Sequence, residues 1–207
     1  MVKKLKKKRP SKKPAHTKKP NATKHKNNLN VVFASSVQTL RQTPQSFQNV
    51  ENVSMFFDNI ESHLISLILN PGVHYVLASS PWFSNQSMLS ALAQKRGVGV
   101  LTHREKHSVS AIRSKAYHAL RPFDKGFDRV RTLNRGKGRQ CGITHTKFLV
   151  FLDAARQPIG CAFGSHNFSS VGGQLNLEMF CAVNDPRVAA ALADEWHRVY
   201  SVSRCLL

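Results

Sequence analysis

Apolar side chains recur at helical spacing from Phe56 to Leu69, with Phe56, Ile60, Leu64, Leu67 and Ile68 in step. Asn70-Pro71-Gly72 ends that helix. The pattern then alternates between short apolar runs and helical segments. Residues 73–79 (VHYVLAS) read as a strand, Pro81 to Asn85 as a loop, Met88 to Lys95 as a second helix, and Gly97 opens the strand VGVLT. A third helix fits residues 108–120, and the Gly- and Arg-rich stretch 124–142 reads as a strand followed by a mobile loop. Thr144 to Leu152 is a strand, Asp153 to Pro158 a turn, and Ile159 to Phe163 a return strand. Residues 164–177 form a Gly- and Ser-rich loop, Glu178 to Val183 a strand, and Pro186 to Tyr200 an amphipathic helix starting after Asp185. Before all of these, residues 31–34 (VVFA) read as a short buried strand and the polar, Gln-rich residues 36–54 as a loop. Strands alternating with helices predict an α/β fold, a mixed β-sheet flanked by helices, with no internal repeat.

Residues 1–30 break the pattern. They are Lys, Pro, Asn, Thr and His with almost nothing apolar, so they cannot offset their ordering entropy and are expected to be a disordered basic tail. The expected division is therefore 1–30 tail and 31–207 globular domain, within a size that suits one α/β domain. Charge sharpens this division. The net charge is +20; residues 1–28 hold eleven Lys, Arg9 and no acid, which accounts for +12 and leaves +8 for the rest. Both parts are basic, which points to a polyanionic partner, nucleic acid or an anionic lipid surface. Lys6 to Pro10 (KKKRP) has two readings, a nuclear import signal and a solvated arm on phosphate backbones.

Several classes fall away. No apolar run approaches the roughly 18 residues of a membrane helix, and the charged start is not followed by the apolar stretch of a secretory signal. The four cysteines, Cys141, Cys161, Cys181 and Cys205, show no CxxC or CxxH spacing, so we expect reduced thiols in a cytoplasmic or nuclear protein. The eleven acids include no HExxH, no DxD and no paired carboxylates at ligand spacing, and Walker and dinucleotide glycine patterns are missing, so neither metal nor cofactor is expected.

The chemistry concentrates near the C-terminus, in His145-Thr146-Lys147, Gly164-Ser165-His166-Asn167 and Asn176-Leu177-Glu178. On a strand, His145 and Lys147 share a face. A neutral imidazole beside an ammonium is a nucleophile next to a phosphate-binding charge. Ser165 and Asn167 add a hydroxyl and an amide, the Gly-rich loop adds backbone N–H groups, and Glu178 can hold a histidine in one tautomer. Together these suit metal-free attack on a phosphodiester. The same tripeptide at His16-Thr17-Lys18 lies in the tail with no apolar strand around it, a coincidence of composition. His166 occupies the variable position of the Gly-Ser loop, a spectator or a rim contact. His103 and His107 lie near a strand end. Trp82 and Phe83 have two readings, stacking on a base and core or dimer packing. Arg135, Lys137 and Arg139 suit a phosphate track, against an ordinary basic loop.

The order H-x-K, G-S-x-N, Gly and N-x-E in HTKFLVFLDAARQPIGCAFGSHNFSSVGGQLNLE resembles the signature of the phospholipase D superfamily, the HKD motif. The upstream helix, strand, helix and strand are similar too, so the resemblance covers roughly residues 31–201. It implies a phospholipase D-like domain. Because the chain has one credible H-x-K, it resembles the short branch that builds its active site at a homodimer interface. The resemblance then implies that His145 of one chain attacks phosphorus to give a phosphohistidine and that the other chain's His145 protonates the leaving oxygen. Lys147 and Asn167 would hold the non-bridging oxygens, Ser165 would support them, and Glu178 would orient His145. One departure stands out: the family's Asp falls on Leu152, with Asp153 one residue later, so a shifted turn is expected without loss of activity.

The function implied is a metal-independent phosphodiesterase, most simply an endonuclease on DNA or RNA. Two other readings compete: a cardiolipin or phosphatidyl hydrolase acting on anionic lipid, and a nucleic-acid-binding protein with the same fold and no turnover.

Overall fold

A computed structural model describes residues 48–103, 111–132, 145–169 and 177–205, with side chains outside 48–50 and 111–114. In chain order the elements are β1 (Gln48–Val50), β2 (Val53–Phe56), α1 (Ile60–Leu69), β3 (Tyr75–Ser79), α2 (Gln86–Leu92), β4 (Gly97–Thr102), α3 (Ala111–His118), β5 (Val130–Thr132), β6 (Phe148–Leu152), β7 (Pro158–Gly164), β8 (Phe180–Val183), α4 (Pro186–Val202) and β9 (Arg204–Cys205). Among the described residues the strands form one sheet in the order β1-β2-β8-β7-β6-β3-β4-β5-β9. The β3-β4 and β4-β5 pairs are parallel, with α2 and α3 as their crossovers, and every other pair is antiparallel. The expected α/β fold with a mixed sheet is the fold observed.

Two cores explain why the strands read as continuous apolar runs. Along β6, Leu149 and Phe151 join a core under α1, α2 and α3, while Phe148, Val150 and Leu152 join a second core under α4. A strand covered on both faces has no polar side to alternate with. Trp196 of α4 is fully buried and donates its indole N–H to the Ala78 carbonyl of β3 at 3.0 Å. Gly99 on β4 makes room for it, because a Cβ there would lie 2.5 Å from the indole ring. At the other end of the helix, the Asp185 carboxylate accepts the Arg187 N–H at 2.8 Å as the N-cap, and Pro186 opens the first turn.

Two expectations fail at the N-terminal side. Residues 36–54 were expected as loop, but Gln48–Val50 and Val53–Phe56 pair as a hairpin whose turn places Asn52 at φ 65°. Asn tolerates that left-handed conformation because its short side chain bonds locally. Phe56, expected as the first residue of the helical run, ends β2 opposite Phe180. It reaches the same core as Ile60 and Leu64, so a core position on a strand imitated a turn of helix. Asn59, at φ 52°, separates the two elements. At the C-terminus, β9 adds an antiparallel strand to β5 that the pattern did not announce. The strand expected at residues 31–34, and the tail itself, lie outside the described residues.

Asp153 sits where the shifted turn was expected. Its carboxylate accepts the N–H groups of Ala155 and Gln157, each at 2.8 Å, and its carbonyl accepts from Arg156, which has φ 64°. Leu152, at the position of the motif's Asp, is buried in the core under α4. Asp153 thus caps the β6–β7 turn, at the opposite end of β6 from His145.

Candidate active site

The register gathers several strand ends at one edge of the molecule. Ser79 at the end of β3 pairs with Phe148 at the start of β6, Phe148 with Phe163 of β7, and Gly164 with Phe180 at the start of β8. His145, Thr146 and Lys147 lie just before β6 rather than inside it. The ladder to β7 nonetheless continues, since Gly164 donates its N–H to the Lys147 carbonyl at 3.1 Å.

His145 is exposed and Lys147 is 8% exposed. The Lys147 ammonium lies 3.1 Å from His145 Nδ1, 3.2 Å from Nε2 and 2.8 Å from the His145 carbonyl. The near-equal distances place the ammonium against both ring nitrogens rather than in line with the lone pair of one of them. Burial lowers the Lys147 pKa from 10.5, and the Glu178 charge offsets part of that fall. Between the pair, Thr146 reaches back to β3, its hydroxyl 2.8 Å from that of Ser79.

The Gly-Ser loop is built by close backbone approach. Gly164 leaves no room for a side chain: a Cβ would lie 2.8 Å from the Phe180 Cα and run into the Met179 carbonyl. Ser165 is pinned there by its N–H to the Met179 carbonyl at 2.9 Å, and its hydroxyl accepts the Met179 N–H at 3.0 Å. The same hydroxyl donates to the Glu178 carboxylate. Glu178 is therefore tied by hydrogen bond to Ser165 and by charge to Lys147. Asn167 follows, with Oδ1 buried and without a hydrogen-bond partner among the described residues. Its neighbour Phe168 donates its N–H to the Ser80 hydroxyl at 3.2 Å and accepts from Ser84 and Asn85 through its carbonyl. This bonds the loop after β7 to the loop after β3.

The structure brings together five of the sequence-derived site residues, His145, Lys147, Ser165, Asn167 and Glu178, at one end of the sheet. Arg135, Lys137, Arg139, Asn176 and His107 lie outside the described residues. His166 is neither rim nor surface: it is 1% exposed, and neither ring nitrogen has a hydrogen-bond partner among the described residues. Burial lowers its pKa from 6.5, with the Glu178 and then the Glu61 charge opposing that fall. His103 follows β4, with Nδ1 buried and unpaired among the described residues. Phe83 takes the core reading, 3% exposed between Tyr117 and Phe168. Trp82 stays half-buried, with its ring nearly perpendicular to that of His145 at 6.2 Å. Motif order did not reveal Ser79, Ser80 and Thr146, the hydroxyls that fix the site to β3; the one available signal was their position at strand ends. No group of three or more His, Cys, Asp or Glu suited to a metal ion occurs among the described residues.

Residues 64–200 match the family described as the cardiolipin synthase, PLD-like domain. Over 189 residues the chain is 26% identical to an uncharacterized protein, L381, of Acanthamoeba polyphaga mimivirus, covering 73% of this chain and 66% of that protein. The chain thus spans just under two thirds of that relative's length. NucT from Helicobacter pylori superposes with a TM-score of 0.57 at 18% identity, over 78% of this chain and all of NucT (100%). Nuc, a phospholipase D family member from Salmonella typhimurium, gives 0.55 at 16% identity, over 73% of this chain and 95% of Nuc. At these identities the two structures carry the fold alone.

Proposed function

From the premise that the chain belongs to the phospholipase D-like domain family, we propose that it is a metal-independent phosphodiesterase that cleaves nucleic acid, with His145 as nucleophile. The observation that carries this reading is the Lys147 ammonium held against the His145 ring at 3.1 and 3.2 Å in a half-dry corner. A cation so placed binds the phosphate oxygens and brings phosphorus to the imidazole lone pair.

The reaction takes two steps. A His145 ring nitrogen bonds to phosphorus, the bond from phosphorus to the leaving oxygen breaks, and an acid delivers a proton to that oxygen. Water then attacks the phosphohistidine, the N–P bond breaks, and the water's proton passes to the same group, now a base. Lys147 and the Asn167 amide stabilise the charge on the non-bridging oxygens. Ser165, locked between Glu178 and Met179, keeps that loop in place, and the Glu178 charge keeps Lys147 protonated and favours a fixed His145.

The acid is His145 of a second copy. His166, at 1% exposure, presents no acid at the surface. The surface beside the site is also suited to a partner, because Phe163, Leu177 and Met179 flank Ser165 and Glu178 with 37%, 55% and 41% exposure. A two-fold through this edge would face the two imidazoles across one phosphate. Nucleic acid is favoured as substrate by the +20 charge, with +12 in residues 1–28 and a phosphate track at Arg135, Lys137 and Arg139. The family description favours a second reading, hydrolysis of anionic phospholipid by the same residues.

Incubation with plasmid, single-stranded DNA, RNA and cardiolipin vesicles in excess EDTA tests this. We expect cleavage of nucleic acid with intact lipid. Cleavage restricted to lipid moves the substrate to the second reading, and activity that EDTA abolishes and Mg²⁺ restores rejects the chemistry.

A further inference from the structure

Ser79 ends β3 and Ser80 follows it, and both are sealed from solvent, at 0% and 1% exposure. A hydroxyl so placed needs a partner, because burying it unbonded is costly. The Ser79 hydroxyl has its partner in Thr146, with 2.8 Å between the two oxygens. Thr146 is the residue between His145 and Lys147. Ser80 serves the other half of the site. Its hydroxyl accepts the Phe168 N–H at 3.2 Å and donates to the Trp82 carbonyl at 3.0 Å, and Phe168 directly follows Asn167. Successive side chains leave an extended chain on opposite sides, so one strand end can reach both segments. The backbone ladders stop short of this. The β3–β6 ladder ends at Ser79 and Phe148, and β7 follows the motif segment only as far as the bond from the Gly164 N–H to the Lys147 carbonyl. Beyond the end of β6, the Thr146 hydroxyl carries the tie to β3.

We propose that Ser79 is a positioning residue for phosphodiester cleavage: through the Thr146 hydroxyl it holds the His145–Lys147 pair in register with the Asn167 loop that Ser80 holds. This inference rests on the phosphodiesterase reading above and is the same for either substrate. His145 must meet phosphorus while Lys147 and Asn167 hold its oxygens, and a misplacement of about 1 Å in such a constellation can cost on the order of 100-fold in rate. Ser79 touches no substrate and moves no proton. It acts through Thr146, setting the geometry before the phosphate arrives. Preorganisation of that kind lowers the barrier without strengthening the binding of the ground state. The middle residue of the H-x-K motif then has a task of its own: its neighbours do the chemistry and its hydroxyl fixes where they stand.

The test uses the full chain and four variants: Thr146→Val, Thr146→Ser, Ser79→Ala and the double variant Ser79→Ala/Thr146→Val. Each is assayed on the nucleic acid or cardiolipin that the wild type cleaves. Thr146 is exposed, so Thr146→Val removes an oxygen and leaves the core filled. We expect Thr146→Val and Ser79→Ala each to lose between about 10- and 100-fold in kcat with KM little changed. Thr146→Ser, which keeps the hydroxyl, should recover most of the rate. The double variant should be no slower than the slower single variant, because both changes break the same bond. A second readout needs no turnover. The His145 ring signals in proton NMR, identified by their loss in His145→Ala, should shift in Ser79→Ala. They should not shift when Ser79→Ala is made in the Thr146→Val background. Wild-type kcat in Thr146→Val would overturn the proposal. So would a Thr146→Ser protein as slow as Thr146→Val, a loss expressed in KM alone, losses that multiply in the double variant, or His145 signals that answer Ser79→Ala with Thr146 already changed. Each of these outcomes leaves the phosphodiesterase reading standing. A wild-type protein that cleaves neither nucleic acid nor cardiolipin would remove both.

Discussion

Lys147 keeps a charge where water reaches it poorly. Burial pulls its pKa below 10.5, so the cation is lost at a lower pH than for a free lysine. If that cation holds phosphate, the basic limb of kcat/KM, which reports the free enzyme, falls before pH 10.5. Lys147→Arg should move the limb upward in whatever activity it retains, because a guanidinium does not titrate there. A pH profile with the limb unmoved would detach Lys147 from catalysis. His166 gives the opposite test, of stability. Its pKa is lowered from 6.5 in the fold, so the unfolded chain binds a proton that the folded chain resists. The fold's advantage from this group is complete above pH 6.5 and drains away as pH falls toward the folded value. Denaturant titrations should show that acid loss in the wild type and its reduction in His166→Gln. The pairing of His145 with Lys147 was legible from an i, i+2 spacing, and the Gly164-Ser165 turn from its glycine. The burial of His166 was not, because sequence spacing cannot say which side of a loop faces the core.

At the scale of elements, Gly99 and Trp196 form one packing unit across β4 and α4. Gly99→Ala would drive a methyl group into the indole, an overpacking that costs roughly 1–3 kcal/mol. Trp196→Phe in that background should recover part of the loss, measured as a non-additive double-mutant cycle in urea; strict additivity would mean the two do not touch. The parallel β3–α2–β4 unit and the β6–β7 hairpin were readable from the chain, because their apolar runs end at Asn-Pro-Gly, Asp153 and Gly164. The β1–β2 hairpin was hidden, since its strands are only three and four residues long and its turn rests on the left-handed Asn52 rather than on glycine. Phe56 misled for a related reason: one apolar residue at the right spacing serves a strand end as well as a helix.

On the proposed reading, the whole molecule divides its labour between affinity and chemistry. Residues 1–28 carry +12 and none of the His145, Ser165, Asn167 and Glu178 set. Each phosphate neutralised releases counterions, with a slope of about −0.9 per contact on duplex DNA. Deleting residues 1–28 should therefore flatten the salt dependence of binding and raise KM while leaving kcat nearly unchanged. An unchanged salt slope would assign the tail to another task. Charge distribution and motif order suggest this proposed division, but the sequence could not say which apolar side chains stay exposed beside the site. The exposed Phe163, Leu177 and Met179 came into view only when β7 and β8 placed them beside the site. The measurement that bears most directly on the central claim is a trapped intermediate. Labelled substrate is mixed with the full chain in excess EDTA, quenched in alkali within one turnover, and digested for mass spectrometry. The account predicts an acid-labile phosphoryl adduct on the peptide containing His145, absent in His145→Ala. Turnover in EDTA with no adduct on His145, or an adduct at His16 in its place, would contradict it.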